Sequence, residues 1–412
     1  MARTILHSDM NSFYASVEMM LNPDLRGKAV AVCGSTENRH GIVLAKSELA
    51  KRAGVKTGMA NWQAKQVCPN LIMVPPNYNE YLKISKLAHK IYERYTDLIE
   101  PFGMDECWLD VTGSSMVFGD GVTIANEIKS AIKRELGVNV SIGVSFNKIF
   151  AKLGSDMKKP DAVTEIRRDN FREKIWNLPA YELLYVGRAT SAKLESCGIN
   201  TIGQIAQTEP EILEGIFGVH GGRMWTYANG LDESRVMHMN YKVPIKSVGH
   251  GTTCVTDPVN NDEVDAVFLE LSVDVGHRLR INNLLATGVQ IMVRTEDLSF
   301  RQYQTKLSYP TRNPLELTYA ARKLFREKYY WSMNVRSLTI RAIDLVPDNT
   351  PVQTTFDCDA GIQVKMEKIF NTVDDLNIRY GKKTVMPAAL LQNIPIAADR
   401  CDEIKIAGRM FA

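Results

Sequence analysis

Asp105 and Glu106 stand side by side after the turn Pro101-Phe-Gly-Met104 and open a mostly apolar run, while a lone Asp9 ends an apolar run near the start of the chain. Adjacent carboxylates repel each other, and a chain that sets two of them beside a glycine turn usually supplies a cation to offset the charge. Hard oxygen ligands favour Mg²⁺, and two such ions, with Mn²⁺ left open as a substitute, would make a phosphoryl-transfer site. One ion lowers the pKa of an attacking hydroxyl; the other holds a triphosphate and stabilises the departing pyrophosphate. Asp9 and Asp105 must then bridge the ions from neighbouring strands of a rigid sheet. Glu106 adds a ligand for the hydroxyl-activating ion, and the Met10 carbonyl completes the other. Read singly, each acid could equally cap a turn; the three together favour the metal reading.

The elements that must hold these acids are legible from periodicity. Residues 3–9 read as a strand and 11–21 as a helix with Phe13, Val17 and Met20 on one face. A strand over 29–33 and a basic helix over 44–53 follow, with Gly54 as its stop. The spacing predicts a long amphipathic helix over 78–99, striped by Leu82, Leu87, Ile91 and Leu98, before the acidic hairpin. After it come a helix over 120–136 stopped by Gly137, a strand over 138–144 and a helix over 147–157. This β-α-β-β-α-β order resembles a ferredoxin-like palm.

Beyond it, 167–232 reads as an all-helical unit of short helices broken by glycines, and the polar stretch near 233–245 as a linker. From Ser247 a second α+β unit is expected: a strand, a helix over 263–285, a hairpin of 289–293 and 301–307, a helix over 314–329 and a strand over 335–344. The tail beyond Pro347 reads as partly ordered at best. The expected class is therefore α+β and multidomain.

Composition sets bounds. At 412 residues the chain exceeds one ordinary core. Lys+Arg 50 against Asp+Glu 47 leaves a net charge of only +3, so a nucleic-acid surface must come from uneven placement of charge. Seven scattered cysteines form no Cys-x-x-Cys pair and read as reduced thiols in a cytoplasm. No run of apolar residues is long enough to span a membrane, and no apolar leader precedes the first strand. A cytoplasmic monomer with no membrane association is the expectation.

His7-Ser-Asp-Met-Asn-Ser-Phe-Tyr-Ala-Ser-Val-Glu18, Asp105-Glu-Cys-Trp-Leu-Asp110, and Ser141-Ile-Gly-Val-Ser-Phe-Asn-Lys148 with Ala151-Lys152 and Lys159-Pro160 resemble the motifs of the Y-family translesion DNA polymerases, in that family's order and spacing. The sequence is most similar to the bacterial DNA polymerase IV and UmuC-like branch, over roughly residues 3 to 345. The resemblance implies a palm over 1–166 with small fingers inserted at about 31–75, a helix-hairpin-helix thumb over 167–232, a linker over 233–245, a little-finger DNA-binding domain over 246–346 and a tail over 347–412. It also implies primer-template DNA and deoxynucleoside triphosphates as partners, and low-fidelity bypass of damaged bases as the role.

Residue by residue, the resemblance implies that Asp9, Asp105 and Glu106 bind metal, joined by the Met10 carbonyl. Tyr14 matches the steric gate that would collide with a ribose 2′-hydroxyl, with Phe13 beside it at the sugar or core side. Lys159 matches a triphosphate ligand. Lys148, Lys152 and Lys159 fall at i, i+4 and i+11, nearly one line on a continuous helix, which could face triphosphate or DNA, or be a solvated row. In the fingers the sequence departs from the pattern: Glu48 and Lys51 stand where the family commonly has Tyr and Arg on the triphosphate. Lys51 keeps a point charge without the bidentate fork, with Lys46 or Arg52 as possible compensation. Asn11 likewise replaces a frequent Asp.

Gly187 opens the thumb's DNA-phosphate turn, although its usual second glycine is absent, and Lys246, Arg336, Thr339 and Arg341 are the little-finger candidates for template phosphates. Val352-Gln-Thr-Thr-Phe-Asp357 is similar to a degenerate sliding-clamp peptide. Two rival readings remain at this stage. One is a non-catalytic DNA-binding homologue, motivated by Glu48 and Lys51; the other is a palm-fold nucleotidyl cyclase, which would not explain the thumb-like glycines or the second α+β unit.

Overall fold

The structure, a computed structural model, describes residues 3–37, 39, 41–351, 360–381 and 383–391. They form two compact units, one built from the chain up to Gly34 and from Ile42 to Lys242, the other from Ser35–Gly41 and from the described residues between Val243 and Leu391. Among the described residues twelve strands make three sheets. In the first unit β1 (Ile5–Met10) precedes the small sheet of β2 (Val30–Cys33), β3 (Val43–Lys46) and β4 (Ile72–Val74). Then come β5 (Ile99–Pro101), β6 (Glu106–Asp110), β7 (Val140–Ser145) and β8 (Val163–Ile166). The five-stranded order is β5-β6-β1-β7-β8, so β1 is central, and all six of its residues are buried. Helices Tyr78–Tyr92 and Gly121–Leu136 cover this sheet through Tyr81, Ile84, Ile91, Ile124, Ile128 and their neighbours.

The sheet's other helix, Lys148–Met157, approaches unusually closely, and two glycines explain it. A Cβ on Gly143 of β7 would lie 1.9 Å from the Ala151 carbonyl oxygen, and one on Gly154 would lie 3.2 Å from the Gly143 Cα. With no side chain at either position, helix backbone rests on strand backbone. The same helix shares a core with the short helices that follow: Phe146, Phe150 and Leu153 pack with Ile175, Leu194, Ile202 and Leu213.

Several expectations change. The span 44–53 is not one helix: β3 pairs antiparallel with β2, and only Glu48–Arg52 is helical, capped by the Ser47 side chain. The 78–99 helix ends at Tyr92 because Ile99–Pro101 is claimed by β5. Its buried face runs through Tyr81, Ser85, Ala88 and Tyr92, leaving Leu87 exposed; two buried aromatics outweigh the leucines that set the expected stripe. The start of the linker is docked rather than free. Val236 is buried with Ile5 and Trp108, Met237 N–H donates to Glu100 Oε2 at 3.1 Å, and Met239 N–H donates to the Asp97 carbonyl at 2.9 Å.

The second unit has β9 (Val248–Thr253), β10 (Leu284–Thr295), β11 (Phe300–Thr311) and β12 (Val335–Pro347) in the order β11-β10-β12-β9. Helices Asn261–Ile281 and Pro314–Lys328 supply its core through Val267, Phe268, Leu271, Leu317 and Phe325. The hairpin strands are longer than their apolar centres suggest, because alternating polar residues extend both. Within the tail, Ala360–Tyr380 is a helix, pinned by the Arg280 fork on Asp374 at 2.6 and 3.0 Å. The 352–357 peptide lies outside the described residues. Among the described residues no helix is long and apolar enough to cross a membrane, and Cys33, Cys68, Cys107 and Cys197 form no disulfide.

Candidate active site

The acids meet where β1 leaves the centre of the sheet. The register sets Asp9 opposite Glu106, and Met10 N–H donates to the Asp105 carbonyl at 2.9 Å, so one antiparallel pairing fixes all three acids. Asp9 is 4% exposed. Burial pushes its carboxyl pKa up, against the pull of Lys152 and Lys159. Asp105 is raised to about 7 through burial and then the charges of Asp9 and Glu106. Glu106, despite the opposing cost of burial, is held to about 2 by His7 and Lys152.

Ammonium groups lie across these acids. Lys152 Nζ is 2.9 Å from Glu106 Oε1, 3.3 Å from Asp9 Oδ2 and 3.2 Å from Asp156 Oδ2. Lys159 Nζ is 2.7 Å from Asp9 Oδ2 and 2.8 Å from Asp156 Oδ1. Behind them His7 is fully buried. Its Nδ1 is 2.9 Å from Ser155 Oγ, a hydroxyl that itself donates to the Lys152 carbonyl, and its ring meets Trp108 edge-on. Burial lowers the His7 pKa to about 4, so the ring is neutral at pH 7.

Comparison with known proteins now bears directly on this geometry. Residues 8–156 match the impB/mucB/samB family, and residues 245–356 match that family's C-terminal domain. A DNA polymerase IV of Acetivibrio thermocellus is 48% identical over 393 residues, covering 95% of this chain and 98% of the relative. DNA polymerase IV 1 of Bacillus subtilis is 37% identical, covering 95% and 94%. The chain belongs to the impB/mucB/samB family of Y-family DNA polymerases. A Y-family DNA polymerase chimera of Dbh and Dpo4 aligns with a TM-score of 0.75 at 24% identity over 84% of this chain, which shows the shared palm, thumb and little-finger fold.

Membership of this family implies dependence on divalent metal in general. Among the described residues no three His, Cys, Asp or Glu side chains are arranged around one ion position, because lysines lie against the acids. The donor set nonetheless fits a hard cation: it is all oxygen, and Glu106 Oε2 is buried without a hydrogen bond, with His7 Nε2 3.5 Å away.

The other expected residues divide. Tyr14 is stacked flat on Tyr81, centroids 4.3 Å apart, and its hydroxyl reaches Met104 Sδ at 3.8 Å, which ties the ring to the turn carrying Asp105. Burial, then the Asp105 charge, lifts its pKa to about 12, so the phenol stays neutral. Phe13 is instead a core residue, 3% exposed, and the nucleotide-contact expectation for it gives way to packing. Lys148 also departs from its expectation as a DNA contact. Its ammonium is buried 2.7 Å from Glu100 and 4.4 Å from the centroid of Trp108, one turn from Lys152 but on a different partner. Nor do three lysines share one helical line, since the helix ends at Met157 and Lys159 reaches Asp9 from the following loop.

Lys51 is exposed and 4.0 Å from Glu48, while Ser12 Oγ donates to Glu48 Oε1 at 3.2 Å. Asn11 is structural, accepting the Asp161 N–H and bonding Ser141. Gly187 is the N-cap of helix Arg188–Ser196, and nothing lies within 4 Å of where its Cβ would be. In the second unit Arg341 and Lys246 are exposed, and Arg336 and Thr339 are half-buried. A register shift near Val335 lets Val335 and Leu338 both face the core.

Sequence reasoning missed His7, Ser155, Asp156 and the Gly143–Gly154 contact. Asp156 alone had a local signal, four residues after Lys152 on the same helix.

Proposed function

We propose that this chain is a template-directed DNA polymerase of the error-prone translesion type, which adds deoxynucleotides to a primer 3′ end and bypasses damaged template bases. Family membership over nearly the whole chain, joined to acids held in register on adjacent buried strands, carries the reading. Two divalent ions, Mg²⁺ with Mn²⁺ as a substitute, held by Asp9, Asp105, Glu106 and the Met10 carbonyl oxygen, would supply activation of the primer hydroxyl and charge stabilisation of the departing pyrophosphate. The chain's own part is positioning. The sheet fixes Asp9 and Glu106 against each other, so little reorganisation is needed at the moment of reaction.

The rigid Tyr14 ring stands as the gate against a ribose 2′-hydroxyl. Lys159, and the exposed Lys51 with a single point charge, are the triphosphate contacts. Gly187, Lys246, Arg336 and Arg341 grip DNA phosphates, whereas Lys152 serves the acids. A cytoplasmic monomer, with the sliding clamp as an optional partner, completes the reading. The non-catalytic alternative is not favoured, because clustered buried acids without a cation are costly to keep.

Single-nucleotide extension of a labelled primer-template tests this. Asp105→Ala should lower the extension rate by about a thousandfold or more while leaving DNA affinity within about threefold. Tyr14→Ala should raise ribonucleotide incorporation by roughly a hundredfold relative to deoxynucleotide. Extension that survives in Asp105→Ala, or unchanged sugar selectivity in Tyr14→Ala, would remove the corresponding assignment.

A further inference from the structure

We propose that Lys152 is an exchangeable internal counter-ion, bonded to Asp9 and Glu106 while no metal is bound and withdrawn onto Asp156 as metal enters. The inference rests on the polymerase reading of these acids. It begins with competition for the same atoms: Lys152 Nζ holds Glu106 Oε1 and Asp9 Oδ2, the oxygens a cation would need. Among the described residues, four carboxylates, Asp9, Asp105, Glu106 and Asp156, face two ammonium groups, Lys152 and Lys159, so the cluster keeps a deficit of positive charge.

The backbone of Lys152 cannot retreat to make room. Its helix lies backbone to backbone on β7 at Gly143 and Gly154 and is held on its other side by Phe150 and Leu153 in a shared core, so a shift of the whole helix would break that packing. The flexible side chain can move, and its destination is already in contact. Asp156 lies one helical turn on, 3.2 Å from Lys152 Nζ, with its side chain 37% exposed at the open edge of the cluster, whereas that of Asp9 is 6% exposed. An ammonium that lets go of Asp9 and Glu106 therefore stays paired throughout, avoiding the cost of an unpaired buried charge.

The test uses the intact chain without nucleotide or DNA and follows Mn²⁺ binding by the electron paramagnetic resonance of free Mn²⁺, together with melting in EDTA. Lys152→Met should bind Mn²⁺ about tenfold more tightly, because a competing charge has gone. It should also melt lower than the natural protein in EDTA and recover with Mn²⁺. Asp156→Asn should do the reverse, weakening Mn²⁺ binding about threefold by removing the alternative partner. Lys152→Met with natural or weaker Mn²⁺ affinity and weakened deoxynucleotide binding would overturn the proposal in favour of a plain triphosphate ligand. Should Lys152→Met fail to fold, Asp156→Asn decides, and unchanged affinity there overturns it. Equal Mn²⁺ binding by the natural protein and Asp105→Ala would instead overturn the metal-site reading itself.

Discussion

Two acid sites in this chain are built on opposite terms. In the second unit Asp374 receives the Arg280 guanidinium at 2.6 and 3.0 Å and His277 Nδ1 at 3.1 Å, and although burial pushes its carboxyl up, these partners hold it below the usual range. At Asp9 and Asp105 the balance is reversed: burial pushes both carboxyls up, Asp105 to about 7, while their neighbour Glu106 is held at about 2 with its Oε2 buried and lacking a hydrogen bond. A satisfied cluster fastens one element to another, here helix Ala360–Tyr380 to helix Asn261–Ile281. A cluster short of positive charge is the setting in which a bound cation would be favoured.

The contrast can be broken from either side. Removing Arg280 from the satisfied cluster, as Arg280→Met, leaves half-buried Asp374 beside His277 alone and should cost about 2–3 kcal/mol of stability, read by urea unfolding. A loss below about 1 kcal/mol, the range of exposed pairs, would mean the fork is mere decoration.

The acid site should respond with the opposite sign. Asp105 binds its proton more tightly in the folded state than at its ordinary value of 3.8, so the folded state loses relative stability as pH rises from about 4 through about 7. In EDTA at pH 8, Asp105→Asn should therefore be more stable than the natural chain by roughly 2–4 kcal/mol, and the difference should vanish near pH 4. A pH-independent difference would contradict the raised pKa.

Glu48 lies between the two extremes, bonded to Ser12 and near the exposed Lys51. Glu48→Tyr with Lys51→Arg should lower the KM for deoxynucleotide about fivefold if these positions face the triphosphate, since it removes a repelling carboxylate and adds a fork. No change in KM would mean that they point elsewhere.

Much of this was legible in the chain itself. The acids, the order of elements and the close Lys-x-x-x-Lys spacing follow from local pattern, because side-chain alternation along a strand and helix pitch are short-range rules. What stayed hidden depended on partners distant in sequence. Lys148 and Lys152 differ only by one turn, yet one lies under Trp108 on Glu100 and the other on Asp9 and Glu106. Phe13 and Tyr14 are adjacent aromatics, and only the position of Tyr81 decides that the first fills the core while the second stays partly open. His7 gave no signal because its partners, Ser155 and Trp108, arrive from two other elements.

The placement of the acids also separates them in time. Asp9 sits on β1, hydrogen-bonded along both edges to β6 and β7, so its amides exchange with solvent only when the whole sheet opens. Asp105 belongs to the turn before β6, whose outer neighbour β5 is a three-residue edge strand. That side can fray in a local opening that leaves β1 in place. As denaturant is added, the site should come apart from the Asp105 side first, losing its chemistry while most of the sheet is still folded.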